Sequence, residues 1–221
     1  MSYLRDTAII LKNEPFREHD AWVTMYGKEN GKMTAVARGA RRSDAKSLGH
    51  LEPLSQIDVM IAKGAAFDKL AVARVTDPRP YLRERLHVLT LVGAFTNTVD
   101  LLTHPGSVDP EIYFLLQEML NLADERSTIP SIARCQLMLS AAYVKLLDVL
   151  GYAPTLDQTE VSTTALPLLR FMRMRPLKDL LNITAPSQLF FQISSLVDDY
   201  LKQAPFRVEP HGRMTVAAML G

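Results

Sequence analysis

One cysteine and one tryptophan occur among the 221 residues of this chain, and the first scarcity closes off two classes of protein. Cys135 has no internal disulfide partner and cannot build a cysteine-rich zinc site. No uncharged stretch approaches the ~20 residues that a membrane span requires. The run from Met1 to Arg17 lacks the apolar core behind a basic end that marks a signal peptide. Neither sign of charge dominates: 25 Lys and Arg stand against 24 Asp and Glu, a net of +1. Any surface for a polyanion must therefore be local. Repeats and low-complexity tracts are missing too, which excludes solenoids and tails. What is left, with 48% hydrophobic and 22% charged residues, is a folded chain of one large domain or two small ones. The reading is a protein of the reducing cytoplasm.

Catalytic signatures are absent as well. Gly27, Gly31 and Gly39 do not have phosphate-loop spacing, and neither a nucleophile elbow nor a His-Glu-x-x-His helix occurs. His19, His50, His87, His104 and His211 are scattered without metal-ligand spacing, and His19-Asp20 reads as a surface pair. Cys135 sits in a helical pattern beside Leu137 and Met138, the setting of a small core residue. The expectation is a protein without catalytic residues, metal or cofactor.

Two patterns divide the chain. Up to Asp77, apolar residues come in short runs separated by turn residues: Ala8–Leu11, Trp22–Tyr26, Met33–Arg38, Ile57–Ala62 and Leu70–Val75. Five such runs predict a small β-barrel or sandwich. Asp77-Pro78-Arg79-Pro80 then stops strand formation. From Tyr81 the apolar spacing becomes helical, through Leu82, Leu86, Leu89, Phe95, Val99 and Leu102. Asp109-Pro110 is an N-cap with proline at the first helical position, Ser131 caps a third helix that stops at Gly151, and a final helix runs from about Ser187 to Lys202. A weaker stretch, Ala165–Leu181, is interrupted by Pro167 and Pro176. The fold class is α+β, a β domain over 1–80 followed by a helical bundle over 81–221.

Charge is unevenly placed. Residues 1–80 carry a net +3 and the remainder −2; between positions 28 and 46 the net is +4. That excess comes from Lys28, Lys32, Arg38, Arg41, Arg42 and Lys46. If Met33, Ala35 and Ala37 face the core, Lys32, Thr34 and Arg38 point outward. The strand then feeds Gly39-Ala40-Arg41-Arg42, where glycine permits close approach of a ligand. Arginine's rigid donor fork matches a phosphate, so this cluster is a candidate footprint for a nucleic-acid backbone. Trp22 and Tyr26 share one strand face and are candidate platforms for base stacking, although the only tryptophan of a small β domain is more often core than platform.

Gly31-Lys32-Met33-Thr34-Ala35-Val36-Ala37-Arg38-Gly39-Ala40-Arg41-Arg42, followed by Leu51-Glu52-Pro53, resembles the bacterial recombination and repair family RecO. Arg17-Glu18-His19-Asp20 leading into Val23–Tyr26 is similar to that family's second-strand start. Leu147 to Pro154 is similar to its Leu-Gly-Tyr-x-Pro signature. The resemblance implies an N-terminal five-stranded OB-fold barrel and an α-helical C-terminal domain. It implies binding of single- and double-stranded DNA, annealing, and loading of RecA on DNA coated by single-strand binding protein. RecR and the acidic tail of that binding protein are the implied partners, with a nucleoid-associated cytoplasmic location. Two features depart from the family. Thr155 to Val161 holds none of the four zinc cysteines of many relatives, and Pro205 to Gly221 matches the usual C-terminal pattern poorly. An acidic apolar tail needs a cationic rim, for which Arg134, Lys145, Arg170 and Arg173 are the candidates. The alternatives are an interaction adaptor with an incidental basic loop, and a hydrolase or transferase with an unseen site.

Overall fold

A computed structural model describes residues 2–42, 51–125, 132–152 and 165–203. Five strands come first: β1 (Tyr3–Phe16), β2 (Asp20–Gly27), β3 (Gly31–Ala37), β4 (Gln56–Ala62) and β5 (Lys69–Asp77). They close a barrel in the order β1-β2-β3-β5-β4, with β4 returning to β1. Closure pairs every strand with two neighbours over at least part of its length. It depends on a single parallel bridge, Val36↔Lys69, between β3 and β5.

The alternation read from the sequence sets the interior. Ala8 and Ile10, Ala21, Val23 and Met25, Met33, Ala35 and Ala37, and Ile57, Val59 and Ile61 form one buried cluster. β1 runs through Pro15, beyond the Ala8–Leu11 run read from the sequence. Its pairing with β4 ends at Ile9↔Gln56, so residues further on pair along one side only. A proline, lacking an amide donor, is tolerated in that setting.

Helices follow: α1 (Pro80–Arg83), α2 (Leu86–Leu102), α3 (Pro110–Asp124), α4 (Ile132–Val149), α5 (Ala165–Met174), a 3-10 turn (Leu177–Asn182) and α6 (Ser187–Gln203). The Asp109 cap forms as expected, its Oδ1 accepting from the Glu111 amide at 2.9 Å. Pro167 does not interrupt α5; it lies in the first turn, where its missing N–H had no helical partner. The Ser131 cap, the Thr155–Val161 stretch and the Pro205–Gly221 end lie outside the described residues.

The chain divides into two compact units, one of 1–79 with 102–117 and one of 80–101 with 118–221. In the first, residues after α2 strap the β2–β3 hairpin. Gly106 N donates to Lys32 O, and Gly31, at φ +62, leaves no space for a Cβ, which would stand 2.1 Å from Ser107 O. In the second, α4 packs against α5, the 3-10 turn and α6. Leu139, Leu146, Leu169, Met172, Leu177, Ile193 and Val197 are buried there. Among the described residues no helix is long and apolar enough to cross a membrane.

Candidate nucleic-acid interface

The turn after β3 is built by backbone bonds rather than by its arginines. Gly39 adopts φ +63 and donates its amide to Asp20 Oδ1 at 2.8 Å. Arg41 N donates to His19 O at 3.0 Å, and Arg42 N to Gly39 O at 3.2 Å. The 38–42 turn is thereby fastened to the β1–β2 turn, where Arg17 holds a left-handed φ of 56, uncommon for a side-chain-bearing residue. The result is a cleft of about 450 Å³ lined by Arg17, Glu18, His19, Asp20, Arg38 and Arg42 with Gly39. Arg17, Arg38, Arg41 and Arg42 are all exposed. Among the described residues, none of these four arginines forms an ion pair. Arg17, Arg38 and Arg42 line the cleft with Glu18 and Asp20, and Arg41 is exposed on the same turn as Arg38 and Arg42, which leaves a local cationic excess.

Aromatic rings gather next to this cleft. Phe16, Trp22 and Phe67 form a triangle, with centroids 5.3 Å apart for Phe16–Trp22, 5.5 Å for Trp22–Phe67 and 5.6 Å for Phe16–Phe67. Arg17 joins them to the cleft, its guanidinium carbon 5.1 Å from the Phe16 centroid. Phe67 comes from the β4–β5 connection, which is held in place by several bonds. Asp68 O accepts from Val36 N at 2.9 Å, and the Asp68 carboxylate binds Lys63 Nζ at 2.7 Å and Gly64 N at 3.2 Å. A Cβ on Gly64 would stand 2.1 Å from Phe67 O.

The sequence candidates do not all meet here. Arg38 and Arg42 line the cleft, Arg41 is exposed on the same turn, and Trp22 is half-buried within the triangle. Tyr26 is fully buried and is no stacking platform. Its hydroxyl donates to Asp109 O at 3.2 Å, and burial, reinforced by the Asp109 charge, pushes its pKa up to about 12. Lys32 stands at the other end of β3, about 20 Å from Arg38 at ~3.3 Å per residue, and its Nζ donates to Thr103 O at 3.1 Å. Lys28 lies at that same end, 5.8 Å above the Phe114 ring and beside Asp6, Glu29 and Asp58. The basic run of the sequence is thus two groups rather than one track. Lys46 lies outside the described residues. Phe16, Arg17 and Phe67 were missed as site residues. Arg17 stood in a recognisable segment, but nothing local to Phe67 connects it with Trp22.

In the helical unit the named cations have internal partners. Arg134 donates to Leu181 O and Lys145 to Arg173 O, the latter at 3.2 Å, so both satisfy carbonyls near helix ends. Arg173 pairs with Asp148, and Arg170 is exposed. The Cys135 thiol is buried, which raises its pKa to about 11, the opposite of a reactive cysteine.

Residues 1–79 match the family described as Recombination protein O N terminal, and residues 83–162 the one described as Recombination protein O C terminal. That pairing, on a barrel followed by helices, places the chain among DNA repair and recombination proteins. The DNA repair protein RecO of Geobacter metallireducens is 30% identical over 167 residues, covering 76% of this chain and 66% of that protein. The Thermoanaerobacter protein of the same name is 27% identical, covering 73% and 63%, and that of Cutibacterium acnes is 31% identical, covering 71% and 64%. The chain belongs to the RecO family; its matches span somewhat under two thirds of those relatives.

Proposed function

We propose that this chain is a non-enzymatic recombination mediator whose barrel, read as an OB-fold from its five-strand order, binds single- and double-stranded DNA. The observation that carries the reading is the convergence of Arg17, Arg38 and Arg42 on one cleft, with Arg41 exposed on the same turn as Arg38 and Arg42. Annealing brings two polyanions together. A surface that neutralises phosphates without reading base edges lowers that repulsion and needs no nucleotide hydrolysis. Arg38, Arg41 and Arg42 are assigned to phosphates, with Arg17 added to them. Lys28 and Lys32 are set aside because they stand at the far end of the β2–β3 hairpin.

Family membership supports the remainder of the reading: RecR and the acidic tail of single-strand binding protein as partners, and help in loading RecA on DNA coated by that protein. The helical unit is the proposed seat for the tail. Arg134, Lys145, Arg170 and Arg173 are the proposed rim cations, with Arg170 on an exposed position of α5.

The test is annealing of complementary oligonucleotides without nucleotide. The protein should accelerate annealing, and the Arg38→Ala/Arg41→Ala/Arg42→Ala variant should lose most of that acceleration. Capture of an acidic tail peptide by both proteins, with no effect of either on annealing, would favour the adaptor instead.

A further inference from the structure

The Phe16–Trp22–Phe67 triangle is built like a support under one exposed ring. Phe67 remains 40% exposed while its edge or face meets Trp22 at 87° and Phe16 at 70°. Such T-shaped contacts fix the ring without stacking on it. Gly64 and Asp68 fix the backbone that carries it. Phe67 is thus an exposed hydrophobe on an immobilised loop, joined through Phe16 and Arg17 to the arginine cleft. An aliphatic peptide would have no use for the three guanidinium groups lining the cleft, and a free anion would have no use for the ring. A nucleotide uses both.

We infer that Phe67 is the stacking platform for an unpaired base whose flanking phosphates lie on Arg17, Arg38 and Arg42, so that this site distinguishes single strands from duplex. This rests on the DNA-binding reading above and deepens it. A base within a duplex is already stacked on both faces and offers none to Phe67, whereas its phosphates still reach the arginines. Pairing of two annealed strands therefore removes the ring contact and weakens the hold on the product. Trp22 supports Phe67 from below and reports on it.

The experiment measures binding of the full chain to a labelled oligo-dT and to a blunt duplex of equal length, by anisotropy, at one salt concentration. Phe67→Ala should lose about tenfold or more in single-strand affinity, the scale of one base–aromatic stack, with duplex affinity within twofold of wild type. Phe67→Tyr should bind like wild type. Phe67→Leu, which keeps bulk and so keeps the loop packed, should behave like Phe67→Ala. Unchanged single-strand binding by Phe67→Ala and Phe67→Leu would overturn the inference while leaving the DNA-binding reading intact, as would equal losses on both substrates. Failure of the wild-type chain to bind either substrate would overturn both.

Discussion

Tyr26 shows how one side chain ties the barrel unit together and how that tie depends on pH. Its phenol is fully buried, donates to Asp109 O and titrates near 12 instead of 10. A folded pKa above the unfolded one means that the protonated form is favoured by folding. The contribution is complete below pH 10 and is lost as pH rises towards 12. A shift of that size corresponds to about 2–3 kcal/mol. Urea unfolding at pH 8 and pH 12 should show Tyr26→Phe less stable than wild type at pH 8 by about 1 kcal/mol, from the lost hydrogen bond. By pH 12 the deficit should be gone or reversed. Parallel declines in the two proteins would contradict this role. Tyr26 was legible as an outward-facing residue of β2. Its burial was not, because the carbonyl that accepts from its hydroxyl, Asp109 O, lies 83 residues along the chain.

The same separation explains what could be read of the elements. Alternation alone gave Met33, Ala35 and Ala37 as the inner face of β3, and Asp109-Pro110 gave the start of α3. Both are local signals, in which neighbours in sequence are neighbours in space. The β4–β5 connection is the opposite case. Phe67 meets Trp22 only because Val36 N binds Asp68 O beside the parallel β3–β5 bridge, a pairing without a local pattern. The connection itself makes a prediction. Gly64→Ala places a Cβ against the Phe67 backbone, which cannot yield as a flexible side chain would. The loop must re-form, at about 1–3 kcal/mol of stability, and Phe67 should leave Trp22. The emission of Trp22, the only tryptophan, should shift to the red, and single-strand affinity should fall as in Phe67→Ala although no aromatic atom has been removed. Wild-type emission and affinity in Gly64→Ala would show that the loop does not position the ring.

For the whole molecule, a net charge of +1 hides a division between a basic first part and an acidic remainder. Even the basic part is subdivided. Lys28 and Lys32 serve one end of the β2–β3 hairpin, where Lys32 binds Thr103 O, and the arginines serve the other. Counting charges along the sequence located the excess but merged these two groups, because a strand of seven residues separates them by its full length. The family assignment stands on 1–79 and 83–162 and does not depend on how the cations are grouped. The binding proposal does depend on it.

The most direct measurement of that proposal is single-strand affinity as a function of salt. Four arginines neutralising four phosphates, at about 0.7 each, give a slope of log K against log salt near −3, which is about a fiftyfold loss between 50 and 200 mM. Replacing Arg38, Arg41 and Arg42 by alanine should flatten the slope by about two. A salt-independent affinity in the wild-type chain, or an unchanged slope in the triple variant, would contradict the assignment of this cleft to DNA.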